Sequence, residues 1–163
     1  MSRPATPWRW KPILLAAAAA ALVGIMGMLA TDLGGWYRAL EKPSWQPPDW
    51  LFGPVWTLIY ALAALAGVSA WQGASDNAAR TRILSLFALN AFLNVLWSLL
   101  FFRLLRPDWA LIEVAFLWLS VVALIVGLRP YSRASTWWLA PYLLWVSFAA
   151  VLNAAIVRLN PGM

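Results

Sequence analysis

The sequence has no cysteine, no histidine and few charged side chains, which make up 11% of its 163 residues. Without cysteine the chain forms no disulfide. Without cysteine and histidine it has neither thiolate nor imidazole ligands for a metal, so no metal site is predicted. A soluble globular domain carries about 25% charged residues. The low charge, with 63% hydrophobic residues, therefore indicates a protein whose surroundings are lipid.

Long uncharged stretches cover most of the chain, at 12–31, 50–75, 83–102 and 134–157, and a fifth at 109–128 contains only Glu113. A bilayer core about 30 Å thick requires about 20 apolar residues per helix. We therefore predict an all-α membrane protein, a five-transmembrane-helix bundle that forms one integral membrane domain over 1–163. The helices are predicted near 12–31, 51–72, 83–103, 107–128 and 135–158, with a long loop at 32–50.

The twelve Lys and Arg residues give a net charge of +6, but they are scattered in twos and threes near the predicted helix ends. Such charges anchor helices at lipid headgroups, so the bilayer is the expected partner and nucleic acid is not.

Arg3, Arg9 and Lys11 precede the first apolar run as in a signal peptide. That run exceeds a typical h-region and no clean cleavage site follows, which favours a retained helix. The distribution of charge favours a cytoplasmic amino terminus.

Four of the thirteen tryptophans lie inside predicted spans: Trp56, Trp97, Trp118 and Trp145. In hydrocarbon an indole N–H requires an acceptor or a ligand. Helical spacing places three of them on stripes of polar and aromatic residues. The stripes are Trp56 with Tyr60; Asn90 and Asn94 with Trp97; and Tyr142 and Trp145 with Ala149, Leu152 and Asn153. These stripes either join the helices together or form an aromatic ligand pocket under the loop at 32–50, which we favour for the whole set.

Glu113 is the only acidic residue inside a predicted span. An intramembrane carboxylate indicates function by default. Here a partner on the same rim, Arg103 or Arg106, is favoured over a proton relay, because no second intramembrane acid is present.

The loop segment EKPSWQPPDWLFGPVW, residues 41–56, contains four prolines and three tryptophans. Proline fixes φ and removes a backbone donor, so the segment can hold a shape without a hydrogen-bond ladder. We interpret the loop as a stiff lid over the pocket, and an interfacial anchor is the alternative. The lid residues are Trp36, Lys42, Pro43, Trp45, Pro47 and Pro48.

Four segments together resemble a known family: WYRALEKPSWQPPDWLFGPVWTLIY (36–60), NAFLNVLWSLLFF (90–102), WALIEV (109–114) and PYLLWVSFAAVLNAAIVRLN (141–160). They are similar, in the same order over about residues 30–160, to the tryptophan-rich sensory protein and translocator protein family, also called peripheral-type benzodiazepine receptors. The resemblance implies a membrane binding protein, often a homodimer, for tetrapyrroles such as protoporphyrin IX and other flat hydrophobic ligands. It implies sensing or transport, with porphyrin as ligand and no required cofactor.

The resemblance also implies the pocket residues, carried over by motif. They are Phe52, Gly53, Trp56, Asn94, Trp97, Trp109, Phe148, Ala149 and Leu152, to which the stripes add Tyr60 and Trp145. Of these, Trp109 enters by resemblance alone. The helical bundle suits an inner membrane, whereas the family also occurs in outer membranes.

Two features bear on chemistry. Family members that degrade porphyrin in light carry a second tryptophan where this chain has Ala154, which weakens the alternative of a light- or oxygen-dependent porphyrin-degrading enzyme. A structural protein whose tryptophans only pack is a further alternative.

Without His or Cys, haem iron lacks its commonest protein ligands. We therefore predict metal-independent binding through ring contacts, with propionates near Arg38, Lys42, Arg103 or Arg106.

Overall fold

The structure, a computed structural model, describes residues 10–162, and for Trp10 and Lys11 it describes the backbone alone. The predictions that use Arg3, Arg9 and the Lys11 side chain therefore lie outside the described residues.

Five long helices and one short helix make up the described chain. They are α1 (Trp10–Ala30), α2 (Gly35–Ala39), α3 (Asp49–Gly73), α4 (Asn77–Ser98), α5 (Pro107–Leu128) and α6 (Arg133–Leu159). All except α2 are long and apolar enough to cross a membrane. The predicted all-α, five-span membrane bundle is confirmed.

The start of α4 differs from the prediction, since the helix begins at Asn77 rather than near residue 83. The Asp76 carboxylate accepts a hydrogen bond from the Ala79 backbone N–H at 2.8 Å. An aspartate in this position satisfies a free N–H of the first turn and stabilises the helix end. The polar residues before 83 thus belong to the first turns of α4 and not to a connecting turn.

The loop at 32–50 is also not continuous, because its centre forms α2. Tyr37 at the centre of α2 and Leu40 just after it are buried, and they pack with Phe101, Leu152 and other apolar side chains. This burial holds a five-residue helix that is too short to be stable alone. The loop predicted over 32–50 therefore contains one short helix, Gly35–Ala39, and its last two residues belong to α3.

The last turn of the third span is a π-helix, Leu99–Arg103, that follows α4. The wider turn leaves Phe101 buried and lets Phe102 line a cavity. Leu105, just beyond, has φ of 56°, a conformation that non-glycine residues rarely adopt. Single π turns are frequent at functional sites, and this one lies beside the predicted pocket.

The core of the bundle lies between α3, α4, α5 and α6. The α5 span is the most enclosed and α1, which packs mainly on α3, is the least. Gly73 at the end of α3 approaches the Tyr131 backbone so closely that an added Cβ would lie 2.1 Å from its carbonyl oxygen. This contact joins α3 to the turn between α5 and α6. The lighter packing of α1 leaves space on its inner face.

Candidate functional site

A cavity of about 1120 Å³, here called the main cavity, lies between α1, α3, α4 and α6 on the side of the loop. Its size is slightly above that of typical small-molecule sites, which measure about 300–1,000 Å³. The lining is largely apolar and includes Ala17, Gly24, Leu33, Tyr37, Asp49, Trp50, Phe52, Gly53, Trp56, Tyr60, Asn94, Trp97, Ser98, Phe102, Val114, Leu117, Trp145 and Ala149.

Aromatic rings form one wall of the main cavity. Trp56 and Tyr60 are stacked, with ring centroids 5.4 Å apart and planes at 25°. Phe52 meets Trp145 edge to face at 5.5 Å. The Trp56–Tyr60 pair lies on successive turns of α3 and presents two nearly parallel rings. A wall of this kind favours flat apolar ligands, because aromatic rings attract each other in offset-stacked or edge-to-face arrangements.

The four intramembrane tryptophans differ in the partner of their indole N–H. Trp97 Nε1 donates to Asn153 Oδ1 at 3.2 Å, and Trp118 Nε1 donates to Ser147 Oγ at 2.9 Å. Trp56 and Trp145 have no such acceptor among residues 10–162. Both line the main cavity, so a ligand there can accept hydrogen bonds from their indoles.

A chain of hydrogen bonds begins at the main cavity and crosses the bundle. The Tyr60 hydroxyl donates to Asn94 Oδ1 at 2.7 Å, and Asn94 Nδ2 donates to the Tyr142 hydroxyl at 3.2 Å. The Tyr142 hydroxyl donates to Asn90 Oδ1 at 3.1 Å, and Asn90 Nδ2 donates to Ser120 Oγ at 2.8 Å. The chain joins α3, α4, α6 and α5, and it satisfies polar groups that are costly in lipid.

Eight of the eleven predicted pocket residues line the main cavity: Phe52, Gly53, Trp56, Tyr60, Asn94, Trp97, Trp145 and Ala149. Trp109, Phe148 and Leu152 do not. Trp109 is half exposed and lies under the Arg106 guanidinium, 4.4 Å from the ring centroid. Phe148 packs on Trp145, and Leu152 is buried with the residues around Tyr37.

None of the six predicted lid residues lines the main cavity; Leu33 and Tyr37 of the loop and Asp49 and Trp50 at the start of α3 line it instead. Trp36 meets Phe101 edge to face at 6.0 Å, and Trp45 meets Phe148 at 5.9 Å. Pro43 accepts a hydrogen bond from the Gln46 backbone N–H, and Pro48 accepts one from Leu51 as α3 begins. Pro47 precedes this turn. The proline-rich part thus supports the segment that lines the cavity.

Hydrogen bonds also attach the loop to the bundle, through Asn160 and through Asp49. Asn160, after α6, accepts a hydrogen bond from the Glu41 backbone N–H at 2.9 Å and donates one to the Glu41 carbonyl at 2.9 Å. The Tyr37 hydroxyl donates to the Asp49 carboxylate at 3.0 Å. Burial and this hydrogen bond raise the pKa of Tyr37 to about 12, so the phenol stays protonated and keeps the loop in contact with α3.

The four cations predicted near the ligand propionates have different partners. Lys42 Nζ donates to the Tyr37 carbonyl at 2.6 Å, and its charge lies 4.2 Å from the centroid of the same ring. Arg103 donates to the Leu29 carbonyl, and Arg106 is paired with Asp108. Arg38 is exposed. Among the described residues, the Arg38 side chain is therefore the one of the four that no hydrogen bond engages.

Glu113 is buried, and neither carboxylate oxygen has a hydrogen-bond partner within residues 10–162. The expected pairing with Arg103 or Arg106 was wrong, because both arginines are engaged elsewhere. An unpaired charge in a low-dielectric interior is costly. The isolation of Glu113 therefore favours its neutral form.

The inner face of α1 was not predicted as part of the site, although Ala17, Gly24 and Met28 line the main cavity. The sequence signal for this face is a run of small residues at helical spacing, Ala17, Ala20 and Gly24. Small side chains leave the volume that the cavity occupies. Ala154 is half-buried on α6 and does not line the main cavity.

Comparisons with known proteins agree with the resemblance in the sequence. The family model described as the TspO/MBR family matches residues 13–159. The tryptophan-rich protein TspO of Chlorobaculum tepidum is 40% identical over 131 residues, which are 77% of this chain and 80% of the relative. The translocator protein of Sus scrofa is 35% identical over 130 residues, 78% and 76% of the two chains. The tryptophan-rich sensory protein of Cereibacter sphaeroides is 35% identical over 128 residues, 77% of each.

Proposed function

Because the chain belongs to the TspO/MBR family, we propose that it binds tetrapyrroles of the protoporphyrin IX kind, and related flat hydrophobic ligands, in the main cavity. Relatives are named for sensing and for translocation, and we propose that binding here serves one of these roles. One observation carries the proposal: the stacked Trp56–Tyr60 pair faces a large cavity in which the Trp56 and Trp145 indoles have no acceptor from the described residues.

The binding mode that we propose depends on rings and not on iron. The chain has no histidine or cysteine, and these are common axial ligands of haem. The apolar ring of the ligand would lie against Trp56 and Tyr60. A propionate, which remains charged, would extend to the loop side, where Arg38 is exposed. Charge-assisted hydrogen bonds of this kind are stronger than neutral ones.

Tryptophan fluorescence of the purified protein in detergent tests the proposal. Free-base protoporphyrin IX should quench the fluorescence saturably and bind about as tightly as haem. Trp56→Ala should weaken the affinity about tenfold to hundredfold, because stacking of a flat ring on an aromatic side chain contributes about 1–3 kcal/mol.

Trp137→Ala is the matched control, since Trp137 is exposed and lies outside the main cavity. Its affinity should equal that of the unchanged protein. Much tighter binding of haem, with an absorbance shift typical of iron ligation, would contradict the ring-based mode. Equal affinities in the Trp56 and Trp137 variants would contradict binding in the main cavity.

A homodimer also belongs to the proposal, since the family resemblance implies it. Light scattering of the protein in nanodiscs should give the mass of two chains. The mass of one chain at all protein concentrations would contradict it.

A further inference from the structure

A second cavity, of about 1010 Å³, lies between α1, α3 and α4 toward the start of α4. The ring and hydroxyl of Tyr60 lie between this space and the main cavity, because Tyr60 lines both. The lining of the second cavity is mostly apolar, with small side chains on all three helices and Arg80 at one end. It faces the opposite leaflet from the loop.

Small side chains give the second cavity its width. Ala16 on α1, Ala63 and Gly67 on α3 and Ala91 on α4 leave a slot between the helices. Even one carbon matters here, since a Cβ on Gly67 would lie 3.2 Å from the Phe87 ring. The α4 wall runs from Arg80 to Ala91, so the slot runs about 16.5 Å along the helix at about 1.5 Å per residue. Its length and width suit a hydrocarbon chain.

The slot opens sideways to lipid. Leu15 on α1 and Leu84 on α4 lie on its rim and are 70% and 58% exposed. A bilayer lipid can therefore enter without crossing an aqueous phase.

Arg80 supplies the only charge among the described lining residues of the second cavity. Its Nε is buried and has no hydrogen-bond partner within residues 10–162. The guanidinium carbon lies 5.3 Å from the centroid of the Trp71 ring, which holds the side chain at the end of the slot. A buried donor without an acceptor is costly, and the oxygens of a phosphate match the donor geometry of the arginine guanidinium.

We propose that the second cavity binds one anionic phospholipid from the surrounding leaflet, with an acyl chain between α1, α3 and α4 and the phosphate on Arg80. The observations agree on this occupant: a long apolar slot, a lateral opening and one cation at headgroup depth. A basic side chain at the surface of a membrane attracts anionic lipid. The second cavity adjoins the main cavity, with which it shares Ala20, Tyr60, Ala64 and Val68, but the phospholipid site does not depend on the proposed function.

Native mass spectrometry of the full chain tests this site with 1-palmitoyl-2-oleoyl phosphatidylglycerol added to detergent micelles. We expect one retained lipid per chain, and an affinity about tenfold lower in Arg80→Gln. Arg82→Gln is the matched control, since Arg82 is exposed on the same helix and does not line the slot. Its affinity should change less than twofold. An equal loss in both variants would overturn the proposal, because the lipid would then be held by general charge.

A second pair of variants tests the position of the acyl chain. Ala16→Phe should fill the slot and abolish retention of phosphatidylglycerol, whereas Ala18→Phe should not, because Ala18 is exposed and lines neither cavity. Quenching by protoporphyrin IX and the helical circular dichroism signal should be unchanged in both, which shows that they fold. Retention in Ala16→Phe would overturn the proposal. Equal retention of phosphatidylcholine, or displacement by equimolar palmitate, would overturn the anionic phospholipid as occupant.

Discussion

Trp56 and Trp97 both lie inside the membrane on the loop side of the bundle, but their surroundings differ. Trp97 stacks on Phe101 at 5.2 Å, and its indole N–H is bound by Asn153. Trp56 stacks on Tyr60 and has no acceptor for its indole N–H among the described residues. Both line the main cavity, but Trp97 also packs against the cluster of Tyr37, Leu40 and Phe101, which does not include Trp56.

The difference separates two roles of tryptophan in lipid. An indole whose N–H is satisfied within the protein holds helices together, because no water is available to replace the lost partner. An indole without a partner, next to a cavity, leaves its N–H for a ligand. The hydrogen-bond partner, more than residue type or depth, therefore indicates which tryptophan binds and which one stabilises.

The largest expected effect on the packed cluster comes from Asn153→Ala. Asn153 accepts from Trp97 and donates to the Pro107 carbonyl at 2.9 Å. The change leaves both groups buried and unsatisfied, so the free energy of unfolding should fall by about 2 kcal/mol. Unfolding in detergent, followed by circular dichroism, measures this loss. Unchanged stability would show that Asn153 does not hold Trp97.

A matched pair of smaller changes tests the comparison directly. Trp97→Phe removes a satisfied N–H and should lower the free energy of unfolding by about 1 kcal/mol. Trp145→Phe removes an N–H that has no partner in the described protein and should change stability by less than about 0.5 kcal/mol. It should weaken protoporphyrin IX binding about threefold to tenfold, the contribution of one hydrogen bond. The opposite result, with Trp145 stabilising and Trp97 binding, would reverse the assignment of roles.

The smallest expected effect is on the loop. Changing Pro47 and Pro48 to glycine should speed release of ligand about twofold to fivefold, because each proline restricts the loop by about 0.4–1 kcal/mol. Stopped-flow fluorescence measures the rate. Pro130→Gly, in the exposed turn on the opposite side of the bundle, serves as the control. Equal release rates in all three proteins would leave the loop as an interfacial anchor.

The apolar runs were sufficient to predict the five spans, and helical spacing was sufficient to place Tyr60, Asn94 and Trp97 toward a common interior. Spacing within one helix does not say which neighbour supplies an acceptor. Asn153 and Trp97 meet only because α4 and α6 have a particular rotation and depth. The satisfied and unsatisfied tryptophans were therefore indistinguishable before the helices were packed.

Two other features depend on long-range geometry in the same way. Arg103 reaches the Leu29 carbonyl of α1, a contact between residues far apart in the chain, and Glu113 is left without a partner among the described residues. The π turn at Leu99–Arg103 also has no clear sequence signal. It places both Phe101 and Phe102 in inward-facing positions. In a regular α-helix these two consecutive side chains would point in different directions.

The hydrogen-bond chain from Tyr60 to Ser120 runs in one sense. Each donor points away from the main cavity, and the Ser120 hydroxyl ends the chain on the Leu117 carbonyl at 2.7 Å. The Tyr60 hydroxyl proton is therefore used in the hydrogen bond to Asn94. Toward the main cavity the hydroxyl oxygen can only accept a hydrogen bond. A metal-free porphyrin presents pyrrole N–H groups that match this polarity. An acceptor at the same point would have to break the first link, and α3 would lose the hydrogen bond through which this chain of hydrogen bonds joins it to the other three helices.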